Sequence, residues 1–147
     1  LIARQKSFFD AATPSGNGSA ALLGLWLGRY YGPAAWKHIV DDVVKNTADH
    51  LLRAATGFGS IFQAIEFAIA PHREIAIVGD GIGRQPLERV VAARYLPVTV
   101  IAPSSDGEGL PIFEGREPQD APLAYVCENM ACMMPARTPE ELARQLG

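Results

Sequence analysis

Cys127 and Cys132 are the residues whose type and spacing most directly imply chemistry, and four residues separate them within AYVCENMACMMP. Two cysteines cannot complete a four-ligand zinc site, and the spacing differs from the C-x-x-C of a thioredoxin active site. A turn of four residues can return one sulfur to the other, so a disulfide or a redox-labile dithiol is one interpretation. In the second interpretation, Cys127 lies at the end of a strand and faces the core, Cys132 packs in the following loop, and both thiols are inert. An intracellular location favours this interpretation, because disulfides are rare in the cytosol.

Asp10, Ser15 and Asn17 form a second group of polar residues, around the sequence PSGNG. Ser15 lacks the G-x-S-x-G context of a serine nucleophile. One interpretation is that Ser15 and Asn17 satisfy free backbone N–H groups at the start of a helix. The alternative is that the three side chains border a ligand site at the mouth of a helical bundle, where such sites often lie.

Three glycines in IVGDGIGR, namely Gly79, Gly81 and Gly83, lie between a predicted strand and a predicted helix. The dinucleotide-binding fingerprint needs its third glycine one position later, where this chain has Arg84. The pattern therefore favours a strand-to-helix turn that also allows two elements to approach closely, and we expect no nucleotide cofactor. Phosphate binding at the N-terminus of the following helix is the minor alternative.

The three histidines, His38, His50 and His72, are not spaced from one another or from the cysteines as metal ligands are. Solvated or capping roles fit each of them better than catalysis does. The sequence therefore predicts neither a metal centre nor another cofactor.

Charge and hydropathy exclude several classes of partner. The formal net charge is −3, and the basic residues form no stripe, so no nucleic-acid partner is expected. The longest nearly uninterrupted apolar stretch, Ala20 to Gly28, is far shorter than the ~20 residues of a membrane span.

The start, LIARQKSFFD, lacks the pattern of a signal peptide, so we expect a cytoplasmic protein. A first residue of Leu1 rather than Met indicates a piece of a longer chain.

The first half of the chain is predicted to consist of helical hairpins. Ala20 to Tyr31 is apolar on almost every face, so this helix must be buried among other elements. Gly32 ends it, and Pro33 occupies a first-turn position of an amphipathic helix that continues to Leu52. IFQAIEFAIA supplies a third helix, which ends at Pro71.

The second half has the pattern of a small α/β domain. EIAIVGD, QPLERVVAARYL and PVTVIAP predict a βαβ unit with parallel strands, followed by a loop over residues 104–122 and a third strand, LAYVC. TPEELARQL predicts a closing helix with Thr138 as N-cap, Pro139 at the first position and Glu141 completing a capping box. The fold class is therefore α/β overall: helical hairpins over residues 1–71, and a small parallel sheet with a short C-terminal helix over residues 72–147.

Three separated motifs together resemble the C-terminal part of the YyaL and spermatogenesis-associated protein 20 family. They are RQKSFFDAATPSGNGSAALLGLWLGRYYG, EIAIVG and AYVCENMACMMPARTPEELARQL, and the resemblance spans nearly the whole chain. It implies that a thioredoxin-like domain and a helical toroid, similar to N-acylglucosamine 2-epimerases and six-hairpin glycosidases, precede these residues. The chain would then be the last hairpins of an α/α toroid followed by an α/β cap.

The resemblance extends to particular residues. Pro14, Ser15, Gly16 and Asn17 match the family's Pro-Ser-Gly-Asn motif, but the next position, often serine in the family, is Gly18 here. Tyr125 to Cys127, and Cys132 after them, match the family's tyrosine-valine-cysteine stretch and its second cysteine.

Two functions follow as hypotheses. In the first, Cys127 and Cys132 exchange disulfides with the thioredoxin-like domain, and Asp10 to Asn17 border a cavity for a small sugar. In the second, the segment is a non-catalytic structural or interaction module with packed cysteines, because it contains no complete catalytic set. As a piece of a toroid, the chain would have the rest of its parent polypeptide as partner, and it would expose apolar helix faces such as Ala20 to Leu27 and form homo-oligomers through them.

Overall fold

A computed structural model describes residues 6–32 and 36–147, and the chain divides between Ala70 and Pro71 into two compact units. The described residues form five α-helices and a four-stranded sheet, so the predicted α/β class is confirmed. The helices of the first half and the strands of the second lie in separate units, and each unit has its own hydrophobic core.

Three helices make up the first unit: α1 (Gly16–Tyr31), α2 (Lys37–Leu51) and α3 (Gly59–Ile69). Their shared core consists of Ala21, Val40, Val43, Leu51, Phe58, Ile61 and Ala64. The predicted helices are confirmed, although α1 begins at Gly16, four residues before its apolar stretch, with Ser15 as N-cap. Pro33, to which the sequence assigns a first-turn role, lies outside the described residues.

The second unit follows the order β1 (Arg73–Val78), α4 (Gln85–Ala92), β2 (Thr99–Ser104), β3 (Leu123–Glu128), β4 (Ala131–Cys132) and α5 (Pro139–Leu146). The strands lie in the order β2-β1-β3-β4. Strands β1 and β2 are parallel around α4, so the predicted βαβ unit is confirmed. The sheet as a whole is mixed rather than parallel, because β3 pairs antiparallel with β1 and β4 pairs antiparallel with β3.

The two faces of this sheet have different neighbours. Ile75 and Ile77 of β1 and Val126 of β3 share a core cluster with residues of α4 and α5. Side chains alternate along a strand, so the neighbouring positions Glu74 and Cys127 belong to the opposite face. The loop between β2 and β3 contributes a 3₁₀ turn, Pro111–Phe113, which contacts β1.

Residues of the glycine-rich turn after β1 contact one another and the nearby Pro122. Gly79 has a φ of 143°, and a Cβ at this position would lie 2.8 Å from Pro122. The carboxylate of Asp80 accepts hydrogen bonds from the N–H groups of Ile82 and Gly83, at 3.0 and 2.9 Å. The interpretation of this segment as a turn with a close approach is therefore confirmed.

The start of α5 departs from the predicted capping box in one contact. The Thr138 hydroxyl accepts from the N–H of Glu141 at 3.2 Å, as expected of an N-cap. The Glu141 carboxylate reaches back one residue further than the capping box requires, and accepts from the N–H of Arg137 at 2.8 Å.

A two-residue turn that the sequence analysis does not predict joins β3 to β4. Asn129 and Met130 both have positive φ, 49° and 68°, which are the signs required by a type I′ hairpin turn. Asn tolerates the left-handed conformation, but Met at the second position is unfavourable, and glycine is the usual residue there. The turn sets the register in which Cys127 faces Cys132.

We expect Met130→Gly to raise the free energy of unfolding of the second unit by about 0.5–1 kcal/mol, because it removes a non-glycine residue from the left-handed region. Urea unfolding followed by circular dichroism measures the change. Tryptophan fluorescence run in parallel reports the first unit alone, since Trp26 and Trp36 are the two tryptophans. Met134→Gly is the control: Met134 does not have positive φ, so this change should give no gain. Equal gains from both would contradict the prediction.

Candidate redox site

The candidate site lies on the face of the sheet opposite α4 and α5. Across the strands, Glu74 of β1 pairs with Cys127 of β3, and Cys127 pairs with Cys132 of β4. The two sulfurs are joined by a disulfide, and the Cα atoms of the cysteines are 3.9 Å apart. The pairing therefore places a carboxylate and both sulfurs in one row across three strands.

The two sulfurs differ in access to solvent. Cys127 is 2% exposed, whereas Cys132 belongs to the short strand β4 and is exposed. The interpretation of two separately packed, inert thiols does not match this arrangement: the sulfurs are bonded, and Cys132 is not packed. The tight turn is the physical cause of the observed arrangement. It reverses the chain after only two residues, and it places Cys132 on β4, the edge strand of the described sheet.

Arg116, in the loop between β2 and β3, places its guanidinium beside the disulfide. Its Nη2 donates to Cys127 Sγ at 3.0 Å and lies 3.6 Å from Cys132 Sγ. Its Nη1 donates to the carbonyl oxygen of Ile112, in the 3₁₀ turn that contacts β1. The arginine side chain is only 12% exposed. A cation is therefore held next to the position where negative charge would develop if the S–S bond opened.

Glu74 orients this guanidinium from the other side. Its Oε2 lies 3.3 Å from Arg116 Nη2, and its Oε1 lies 3.0 Å from His72 Nε2. The Glu74 side chain is 16% exposed, so its interaction with Arg116 is less screened than a surface ion pair. His72, Glu74 and Arg116 thus form a chain of polar contacts that ends at Cys127.

Sequence reasoning identified the cysteines of this site but missed its charged residues. Arg116 and Cys127 are eleven residues apart, and no motif links them. The only local signal was Glu74 itself, a charged residue directly before the buried apolar run of β1. His72 was assigned a solvated or capping role, and the structure places it against Glu74.

The polar residues near the N-terminus form a separate cluster within the first unit. Asp10 Oδ1 accepts from the N–H of Ser15 at 2.7 Å, and Oδ2 accepts from the N–H of Ser60 at 2.7 Å. The Ser60 hydroxyl donates to Asp10 at 2.5 Å and lies 3.1 Å from Ser15 Oγ. The structure thus brings Asp10 and Ser15 together and adds Ser60, which the sequence analysis missed.

The hydrogen bonds of this cluster hold Asp10 in its charged form. Desolvation acts to raise the pKa of Asp10, but the hydroxyl and N–H of Ser60 and the N–H of Ser15 outweigh it and lower that pKa from 3.8 to about 2. The carboxylate links the first turns of α1 and α3 by accepting one N–H from each.

Asn17 and Ser15 are also engaged within the protein. Asn17 Nδ2 donates to the carbonyl oxygen of Ser7 at 2.7 Å, and Ser15 Oγ accepts from the N–H of Gly18 at 3.1 Å as the N-cap of α1. The capping role of Ser15 is confirmed, whereas Asn17 bonds a carbonyl instead of a free N–H. The border of a ligand site at Asp10, Ser15 and Asn17 stays a prediction.

Within residues 6–32 and 36–147, no three or more His, Cys, Asp or Glu side chains gather as a metal site would require. None of the helices in this part of the chain is both long and apolar enough for a bilayer crossing.

Fold and site together define an α/β chain whose second unit carries a disulfide-bonded hairpin beside a guanidinium. No protein-family model matches the sequence, and no solved structure gives a significant match. The chain is similar to spermatogenesis-associated protein 20 of Homo sapiens, with 29% identity over 156 residues. The match confirms the resemblance expected from the motifs. It covers 99% of this chain but 20% of the human protein, so the chain spans about a fifth of that relative's length.

We expect Asp10→Asn to destabilise the first unit at neutral pH but not in strong acid. A carboxyl whose pKa is lowered on folding contributes stability above its unfolded value, and this contribution is lost as the pH falls through the folded value. The stability difference between wild type and variant should therefore be full above about pH 4 and vanish near pH 2. Urea unfolding followed by tryptophan fluorescence at several pH values measures it. A difference that does not change with pH would contradict the prediction.

We expect Gly18→Ala to destabilise the first unit by about 1–3 kcal/mol, because α1 and α3 approach closely at this point. A Cβ on residue 18 would lie 2.0 Å from Ser60 Oγ and 2.7 Å from Ser60 Cβ. In a Ser60→Gly background the obstacle is gone, so the same change should cost at least about 1 kcal/mol less. Gly16→Ala is the control, since nothing lies within 4 Å of a Cβ there. Additive costs of Gly18→Ala and Ser60→Gly would contradict the prediction.

Proposed function

We propose that the chain is the terminal part of a protein like spermatogenesis-associated protein 20, and that its second unit exchanges disulfides with a thioredoxin-type dithiol. One observation carries the proposal: the exposed Cys132 is bonded to the buried Cys127, whose sulfur accepts a hydrogen bond from a guanidinium. This is the asymmetry that thiol–disulfide exchange needs, because exchange requires one sulfur that can be attacked and one that can leave.

In the first step, a thiolate of the partner attacks Cys132 Sγ, which solvent exposure makes the accessible sulfur. A bond forms between the partner's sulfur and Cys132, the Cys127–Cys132 bond breaks, and its electron pair stays on Cys127. In the second step, the partner's other thiolate attacks its own half of the mixed disulfide and releases Cys132. The partner is oxidised by two electrons, and the two cysteines of this chain become a dithiol after taking up two protons.

Arg116 assists the first step by stabilising the leaving group. A neighbouring cation favours a thiolate over a thiol, and a better-stabilised leaving thiolate departs faster. Nη2 is already 3.0 Å from Cys127 Sγ before the bond opens, so the guanidinium need not be recruited. Glu74, which pairs with the same nitrogen, partly offsets this cation.

A purely structural role for the disulfide has weaker support. Cross-linking stabilises a protein mainly by restricting its unfolded chain, and a loop of this size gives only about 2 kcal/mol. The cysteines are also already paired by the hairpin register, at a sequence separation of five. Disulfides in cytosolic proteins are usually transient and catalytic or redox-sensing, so the cytoplasmic location that we propose is consistent with exchange.

The remainder of the parent protein is part of the same proposal. The three helices of the first unit would be the last hairpins of an α/α toroid, and the thioredoxin-like domain would be the natural source of the dithiol. Leu23 is exposed within the apolar Ala20–Leu27 stretch of α1, which supports contact of this helix with a toroid neighbour or with a second copy.

A carbohydrate-related function is the lesser alternative. The polar atoms of Asp10 and Ser15 are engaged in hydrogen bonds within the cluster, so a sugar would have to compete with them. If sugars bind here, Ser15→Ala and Asn17→Ala should weaken binding of mono- or disaccharides.

We expect a thioredoxin-like protein that retains only its attacking cysteine to form a mixed disulfide with the oxidised chain at Cys132. The resolving cysteine, which would release the adduct, is replaced by serine, so the adduct accumulates and mass mapping identifies the sulfur. An adduct at Cys127 would contradict the proposed direction of attack. Reduction by a small dithiol without any protein adduct would contradict exchange with a protein partner.

The two charge variants should change the exchange rate in opposite directions. Arg116→Gln removes the cation and should slow reduction of the disulfide about tenfold, with a shift of about 30 mV towards a more negative potential. Glu74→Gln leaves the guanidinium uncompensated and should speed reduction of the disulfide. Stopped-flow reduction and redox titration measure both quantities. If the two variants slow the reaction equally, Arg116 acts only through the fold.

A further inference from the structure

All five sulfur-bearing side chains of the 147 residues lie within eight positions, 127–134. Disulfide exchange uses two of them and leaves three methionines unexplained. Met130 is 91% exposed, Met133 47% and Met134 83%, although methionine is usually a buried residue. Single exposed apolar residues are ordinary, but three around one exposed cysteine form a sulfur-rich surface.

Thiolates and thioethers are the soft ligands that select monovalent copper. Carboxylate and imidazole ligands, which suit harder ions, do not gather as a metal site in the part of the chain that the structure describes. The chemistry of the hairpin therefore favours Cu(I) over magnesium, calcium or manganese.

The register of the hairpin brings the strong ligands together. Cys127 and Cys132 are directly opposed on β3 and β4, so both thiolates stay side by side once the disulfide is reduced. Met130 precedes Cys132 by two residues, and Met133 and Met134 follow it directly, so thioethers flank the pair on both sides along the chain.

Arg116 also contributes to the electrostatics of the reduced pair. Two thiolates and one Cu(I) carry a net charge of −1. The guanidinium of Arg116, which lies 3.0 Å from one sulfur and 3.6 Å from the other, offsets part of this charge, because it also pairs with Glu74.

We propose that the reduced hairpin 127–134 binds one Cu(I) through the thiolates of Cys127 and Cys132 and at least one methionine thioether. Binding displaces two protons from the thiols and transfers no electrons. This proposal depends on the proposed function in one respect: the disulfide must be reducible by a dithiol or by another two-electron reductant. In the oxidised chain the sulfurs are bonded to each other and the site is closed.

The test is a competition for Cu(I) between the full chain and a coloured Cu(I) chelator, without oxygen. The disulfide is first reduced with a phosphine, which is then removed. We expect the reduced chain to withdraw one equivalent of copper, and the oxidised chain and a reduced Cys132→Ser variant to withdraw none. Equal withdrawal by the reduced chain and the Cys132→Ser variant would overturn the proposal, as would Zn²⁺ binding as tight as that of Cu(I).

A triple variant tests the thioethers. Met130, Met133 and Met134 are all replaced by leucine, which conserves side-chain volume and removes sulfur. We expect Cu(I) affinity to fall by at least about tenfold. The rate of disulfide exchange and the unfolding of the oxidised chain should change little. Unchanged copper affinity would overturn the proposal. If the phosphine-reduced chain binds copper but no thioredoxin-type protein reduces it, the copper site stands and the proposed function is wrong.

Discussion

The two-residue turn between β3 and β4 is the constraint on which the candidate site depends. With only Asn129 and Met130 between the strands, Cys132 must lie directly opposite Cys127, and their side chains share one face of the sheet. A longer loop or a one-residue slip would move one sulfur to the other face. The same register sets the difference in access, because β3 is covered by neighbours on both sides whereas β4 is a short edge strand.

The mixed topology of the sheet brings charged side chains next to the disulfide. Because β3 runs antiparallel to β1, the end of β3 that carries Cys127 lies beside the start of β1, where His72 and Glu74 are found. The loop after β2 then crosses this face and holds Arg116 between Glu74 and the sulfurs. Three segments far apart in the chain therefore build one short row of polar contacts on this face of the sheet.

The first unit uses its polar residues differently. Asp10, Ser15 and Ser60 satisfy one another and the free N–H groups at two helix starts, so they connect α1 and α3 where Gly18 allows close contact. The absence of a side chain at Gly18 leaves room for the hydroxyl of Ser60 from α3. The motif is thus explained within this chain as a helix junction, with its role towards a ligand left as a prediction.

Local patterns in the sequence were sufficient to predict the helices and the three longer strands of the two units. The apolar spacing of the first seventy residues predicted three helices, and the β-branched runs around QPLERVVAARYL predicted the βαβ unit, because these periods are properties of neighbouring residues. Caps such as Ser15 and Thr138 were predictable for the same reason. Strand β4 was not, because two residues carry no period and Met130 is a poor type I′ turn residue.

What the sequence by itself determined is therefore the class of fold, the positions of its helices and main strands, and the two cysteines as the centre of interest. Tertiary structure decided the direction of β3, the bonding of Cys127 to Cys132, and the meeting of Arg116 and Glu74 at the sulfurs. The reason is physical: these features depend on contacts between residues 5 to 55 positions apart, and such pairings are selected by the packing of the whole unit rather than by any one segment.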